Sequence, residues 1–150
     1  MYKLIAIDLD NTLLDDKKEI SRENIEFINR LIKNGYEIVI ATGRRYFSAK
    51  ELTKSIDKPL IILANNGSIA RETGENNILF ERFLNIEDFR TIVKMGKARN
   101  LHPVVHVDSY ELGYDLIVEM EIENPAYGNY FSKDEKRYKR VYKADRRFRK

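Results

Sequence analysis

Two aspartates, Asp8 and Asp10, stand two residues apart where an apolar run beginning at Lys3 gives way to polar sequence. At the end of a β-strand this spacing lets both carboxylates point the same way while Leu9, between them, packs inward. Carboxylates that close repel one another and call for a cation. With oxygen donors and no cysteine in the chain, the natural ion is Mg2+, held by few carboxylates, water and a substrate phosphate. One of the pair could also attack phosphorus. A solvated acidic turn is the plainer alternative. Further along, Thr42-Gly43-Arg44 offers a hydroxyl, a permissive backbone and a guanidinium, all suited to phosphate oxygens, although an ordinary strand-to-helix junction uses the same residues. Asn65-Asn66-Gly67 is either a third contributor or a turn that needs positive φ.

The elements that must position these residues follow from hydrophobic pattern. Lys3 to Leu9 is apolar on both faces, as in a strand buried within a parallel sheet. Ser21 can cap a helix whose stripe is Ile25, Ile28, Leu31 and Ile32 and whose stop is Asn34-Gly35. Tyr36 to Ala41 is a second strand, Tyr46 to Ile56 a weaker helix, and Leu60 to Ala64 a third strand. The order is therefore βαβαβ, an α/β fold with a parallel sheet. In such a sheet ligands bind beyond the carboxyl ends of the strands, and those ends carry Asp8, Asp10 and Thr12, then Thr42 and Arg44, then Asn65 and Asn66.

After Ser68 the pattern changes. Ile69-Ala70-Arg71 and Ile78-Leu79-Phe80 flank a Thr73-Gly74-Glu75 turn and predict a hairpin. Asn85 is a candidate cap for a helix with Ile86, Phe89, Ile92, Val93 and Gly96 on one side, and Asp88 could reach back to that cap. Val104 to Val107 and Leu116 to Met120 are strand candidates. The expected organisation is an α/β segment over residues 1–70, a smaller α+β segment over 71–131, and a basic tail over 132–150 that is helical or partly disordered.

Charge separates the tail from the rest. From Ser132 to Lys150 ten basic residues meet three acidic ones, a net +7, which leaves 17 basic and 21 acidic residues, a net −4, in the first 131. The absence of cysteine excludes a disulfide scaffold, a thiolate metal site and a cysteine nucleophile. No apolar stretch is long enough for a membrane span, so a soluble cytoplasmic protein is expected. Asp15-Asp16 reads as a solvated loop, His102 and His106 as an incomplete metal set, and Tyr110, Tyr114, Tyr127 and Tyr130 as packing residues.

Asp8-Leu9-Asp10-Asn11-Thr12-Leu13-Leu14 resembles the first motif of the haloacid-dehalogenase-like superfamily, and Thr42-Gly43-Arg44 resembles its second. Asn66-Gly67 is similar to the Asn-Gly of the superfamily's Cof-like sugar-phosphatase branch. The resemblance implies a Rossmann-like core followed by an α+β cap, and phosphomonoester hydrolysis through an aspartyl-phosphate. It implies Asp8 as nucleophile and Asp10 as general acid/base, with Thr42 and the backbone N–H near Leu9 on the transferring phosphoryl group. Mg2+ would be held by the Asp8 carboxylate and the Asp10 backbone carbonyl. Arg44, Asn66 and Gly67 would serve substrate or hinge contacts, and the partner would be a small phosphorylated metabolite.

The superfamily's third-motif lysine and acidic fourth motif are not identifiable. Lys133, Lys136, Lys139 and Lys143 lie in the basic tail, and Asp108, Asp115, Asp134 and Asp145 sit in no such motif. The chain is accordingly expected to be a truncated or N-terminal portion, with the core and the cap both incomplete. Two other functions are set against hydrolysis: a non-catalytic regulatory or assembly role with self-association through exposed sheet edges, and nucleic-acid binding by the tail, which the lack of any nucleic-acid module disfavours.

Overall fold

The computed structural model describes residues 3–57, 59–118 and 137–140. The chain divides into two compact units, Met1–Phe83 and Leu84–Lys150.

The first unit is built on a five-stranded sheet in the order β1-β2-β3-β4-β5. Strands β1 (Leu4–Ile7), β2 (Glu37–Ala41) and β3 (Ile61–Ala64) run parallel, while β4 (Ile69–Glu72) and β5 (Ile78–Glu81) continue the sheet antiparallel. Helix α1 (Arg22–Lys33) connects β1 to β2 and packs on β2; α2 (Tyr46–Leu52) connects β2 to β3 and packs on β3. The Ser21 hydroxyl accepts from the Asn24 N–H at the start of α1 (3.2 Å). At its end Gly35 takes φ 78°, its N–H donates to the Ile32 carbonyl (2.9 Å), and the Tyr36 N–H donates to that of Leu31 (3.1 Å). Helix α2 ends at Leu52, short of Ile56, with the Thr53 N–H (3.1 Å) and hydroxyl (2.9 Å) both donating to the Ala49 carbonyl at its end.

Alternation sets the core. Ile38 and Ile40 of β2 and Ile62 and Ala64 of β3 are buried along with Ile28, Ala49, Leu60 and Ile69. Each such isoleucine contributes about 1.5–3 kcal/mol by leaving water. Strand β1 departs from the buried reading. Among the described residues it pairs only with β2, and its Leu4 is 54% exposed. The hairpin departs in another way. Ile69 to Glu72 pairs in register with Ala64 to Ile61, so the first compact unit runs past residue 70 to Phe83.

The second unit contains α3 (Ile86–Ala98) and a three-stranded sheet in the order β6-β7-β8. Strands β6 (Val104–Ser109) and β7 (Tyr114–Val118) are antiparallel, and β8 (Tyr138–Arg140) runs parallel to β7. Asn85 caps α3, its Oδ1 accepting from the N–H groups of Glu87 (3.0 Å) and Asp88 (2.9 Å). Asp88 reaches back as expected, but it accepts from the Asn85 side-chain amide (2.6 Å) rather than from the backbone. Leu116 and Val118 of β7 are buried, as is Asp115. Residues 138–140, expected to be helical or disordered, are instead strand; the rest of the 132–150 tail, apart from Arg137, lies outside the described residues, as do Tyr127, Tyr130 and Met120.

Candidate active site

The carboxyl end of β1 leads directly into Asp8. Its Oδ1 accepts the N–H of Leu9 (2.7 Å), whose side chain is fully buried and pins the turn to the sheet. The backbone stays extended at Asp10 (φ −72°, ψ 129°) and turns left-handed at Asn11 (φ 59°). The Leu14 N–H then closes the turn on the Leu9 carbonyl (2.9 Å). Asparagine is among the few side chains that accept that left-handed position readily. Asp8 stays exposed and Asp10 half-buried, at the rim of the sheet.

The second strand end is stitched to the third. The Thr42 N–H donates to the Leu63 carbonyl (2.9 Å), the Asn66 N–H to that of Thr42 (3.2 Å), and the Asn65 N–H to that of Arg44 (2.9 Å). Thr42 is only 7% exposed, and its Oγ1 accepts the Arg44 N–H (3.1 Å). Asn65, Asn66 and Gly67 all have positive φ, the turn that Asn and Gly favour. Gly43 is needed for a different reason: a Cβ there would stand 2.7 Å from Asn66 Oδ1.

Arg44 joins these two strand ends to the first. Its Nε donates to Asp10 Oδ2 (2.6 Å) and its Nη2 to Asp10 Oδ1 (2.7 Å), a two-pronged guanidinium–carboxylate pair. The Lys18 ammonium donates to the same Oδ1 (3.1 Å). The hydrogen bond from Arg44 holds the Asp10 carboxyl well below the usual carboxylate range; partial burial opposes this and Lys18 adds to it. In return, Asp10 raises the affinity of Arg44 for its proton. The resting state of Asp10 is therefore the anion.

Asp8, Asp10, Thr42, Arg44 and Asn66 thus belong to one set of strand-end loops, linked from Asp10 through Arg44 to Thr42 and Asn65. Arg44 points to Asp10, and Asn66 packs over Gly43. Gly67 contributes its left-handed backbone (φ 89°). Lys18 was not legible as a site residue. It is carried by a loop that Asp15 organises, its Oδ1 accepting the N–H groups of Lys17 and Glu19 (2.9 Å each). A turn-forming Asp between the bridged residues Leu14 and Ile20 is the signal that could have found it. Asp15 is thus a structural staple rather than only a solvated acid.

The oxygen donors here suit a hard cation: Asp8 offers an exposed carboxylate, while the Asp10 carboxylate is engaged by cations and leaves that residue its backbone carbonyl. Among the described residues no three of His, Cys, Asp and Glu gather to hold a metal ion unaided, and His102 and His106 are both exposed. Nor, among these residues, is any helix long and apolar enough to cross a membrane.

A family model described as haloacid dehalogenase-like hydrolase matches residues 5–148. The chain is 36% identical over 110 residues to a Bacillus subtilis protein named 5-amino-6-(5-phospho-D-ribitylamino)uracil phosphatase YwtE, a match spanning 73% of this chain and 37% of that protein. It is 39% identical over 100 residues to B. subtilis YcsE, which carries the same phosphatase name; this match spans 67% of the chain and 39% of the relative. The crystal structure of TM0651 from Thermotoga maritima superposes with a TM-score of 0.74 at 27% identity, over 94% of this chain and 49% of that one. The chain thus spans half or less of the length of each of these relatives.

Proposed function

We propose that this chain, which belongs to the haloacid dehalogenase-like hydrolase family, carries the nucleophile, the acid/base and the phosphoryl-binding hydroxyl of a Mg2+-dependent phosphomonoesterase, with Asp8, Asp10 and Thr42 in those roles. The observation that carries the reading is the strand-end constellation itself. An exposed carboxylate at Asp8 lies two residues before a second one, Asp10, which Arg44 holds in place and keeps ionised, and the same arginine's backbone is tied to the Thr42 hydroxyl.

Hydrolysis divides into two displacements at phosphorus. In the first, an Asp8 oxygen attacks, the bond from phosphorus to the alcohol oxygen breaks, and that oxygen takes a proton from Asp10. In the second, Asp10 removes a proton from water, the water oxygen attacks phosphorus, and the bond to Asp8 breaks, which returns the free carboxylate and releases phosphate. The clamped, ionised Asp10 is the form the second displacement uses; the first needs a looser hold by Arg44. Thr42 Oγ1 would bear on the phosphoryl oxygens, and the Leu9 N–H would join it on release from Asp8 Oδ1, to which it donates here. Mg2+, held by the Asp8 carboxylate and the Asp10 backbone carbonyl, would offset the negative charge of nucleophile and phosphate.

The substrate class is a small sugar-phosphate-type ester. The phosphate ester named for the two B. subtilis relatives, a phosphorylated ribityl chain, falls in that class and is a reasonable first compound. The test is phosphate release from such esters with and without Mg2+, beside an Asp8→Asn variant. Mg2+-dependent release abolished by that change is expected. Release that persists in Asp8→Asn would overturn the assignment of the nucleophile.

A further inference from the structure

We infer that Lys18 is a positioning residue for this reaction: its ammonium, 3.1 Å from Asp10 Oδ1, acts with the Arg44 guanidinium to hold the Asp10 carboxylate in one orientation. The inference rests on the phosphatase reading above.

A carboxylate oxygen has about two acceptor positions. The guanidinium of Arg44 takes one on each oxygen of Asp10, at 2.6 Å from Oδ2 and 2.7 Å from Oδ1, and so leaves the two oxygens equivalent. Lys18 breaks that symmetry. Its Nζ lies 3.1 Å from Oδ1 and gives that oxygen a second cationic donor, whereas among the described residues Oδ2 has the Arg44 Nε alone.

The chain is shaped to make this contact. Lys18 has φ 63°, a left-handed conformation that an L side chain larger than Asn adopts at a cost of about 1 kcal/mol. The bend is closed from both sides. The Asp15 N–H donates to the Glu19 carbonyl and the Lys18 N–H to the Asp15 carbonyl (3.0 Å each), while the Asp15 carboxylate takes the N–H groups of Lys17 and Glu19. The bridge between Leu14 and Ile20 anchors the loop at its base. The Lys18 side chain remains 50% exposed, so the pair adds little to folding stability. A strained backbone aimed at a contact of small stabilising value is better explained by placement of Asp10 than by stability.

The test measures steady-state kinetics on a sugar phosphate with Mg2+ for the native chain, Lys18→Met, Lys18→Arg and Asp15→Ala, and, without substrate or metal, the carboxyl carbon resonances of Asp8 and Asp10. Lys18→Met and Asp15→Ala should lower kcat roughly tenfold, a part of what positioned proton transfer supplies, with KM within about twofold. Lys18→Arg should restore most of the loss. The Asp10 resonance should move in Lys18→Met more than that of Asp8. A raised KM at unchanged kcat would make Lys18 a substrate contact and overturn the inference, as would unchanged kinetics or no rescue by arginine. An active native chain whose Asp10 resonance does not respond refutes the inference and leaves the phosphatase reading standing. An inactive native chain refutes hydrolysis by this chain on its own and with it the catalytic role of Lys18 here, and a responding resonance would then establish only the ion-pair contact.

Discussion

Replacing Arg44 by methionine removes both prongs of the clamp on Asp10 while keeping most of the side chain's length. The lost contacts are short, 2.6 and 2.7 Å, but the partners are 29% and 35% exposed at their side chains, so solvent screening brings the expected loss to about 1 kcal/mol rather than the several expected of a buried pair. In a chain of this size that lowers Tm by a few degrees, roughly 2–8 °C. The sign with pH follows from the depressed Asp10 carboxyl. A group whose folded pKa is lowered stabilises fully above its unfolded value, near 4 for Asp, and loses that contribution as pH falls toward the folded value. The gap in Tm between the native chain and Arg44→Met should therefore stay constant from about pH 5 to 8 and narrow below about pH 4. Melting curves followed by circular dichroism across that range are the assay. A gap that is the same at pH 3.5 and pH 7 would show that Asp10 is not the group Arg44 stabilises, and the ionised, clamped acid/base would fall with it.

Three further outcomes follow from the same geometry. Gly43→Ala should displace the Asn66 side chain and lower Tm and activity together, and Asn66→Gly, which suits the φ of 56° there, should relieve most of the loss in Tm in the double variant. Ile40→Ala, in the fully buried centre of β2, should cost about 2–5 kcal/mol by denaturant unfolding. Asn85→Ala should cost the second unit about 1 kcal/mol by removing the two capping bonds of α3, visible as faster amide exchange in the helix's first turn.

Local chemistry was the part of the fold legible in sequence. Ser21 and Asn34-Gly35 bound α1 through hydrogen bonds made within a few residues, and Asn85 does the same for α3. The three parallel strands were legible because their apolar runs end abruptly in Asp8, Thr42 and Asn65. Long-range pairing was not legible. Nothing local says that Leu4 to Ile7 would pair, among the described residues, with β2 alone, because a run that is apolar on both faces looks the same with one paired edge or two. Nothing in Ile69 to Glu72 says that it would pair back onto β3. At the site, residue types were readable and side-chain direction was not. Arg44 could have faced a phosphate or a carboxylate, and Lys18 reaches Asp10 only through a left-handed bend set by hydrogen bonds to Asp15.

The central claim is that Asp8 attacks phosphorus. The most direct measurement is acid quenching of the chain during turnover of a sugar phosphate with Mg2+, followed by peptide mapping. A single phosphoryl group on the peptide containing Asp8, absent from Asp8→Asn, is the expected result. Asp10→Asn, which on this account lacks both the acid of the first displacement and the base of the second, should accumulate it when an aryl phosphate, whose leaving group departs without a proton, replaces the sugar phosphate. Phosphate release with no phosphoryl group on that peptide in either the native chain or Asp10→Asn would contradict it.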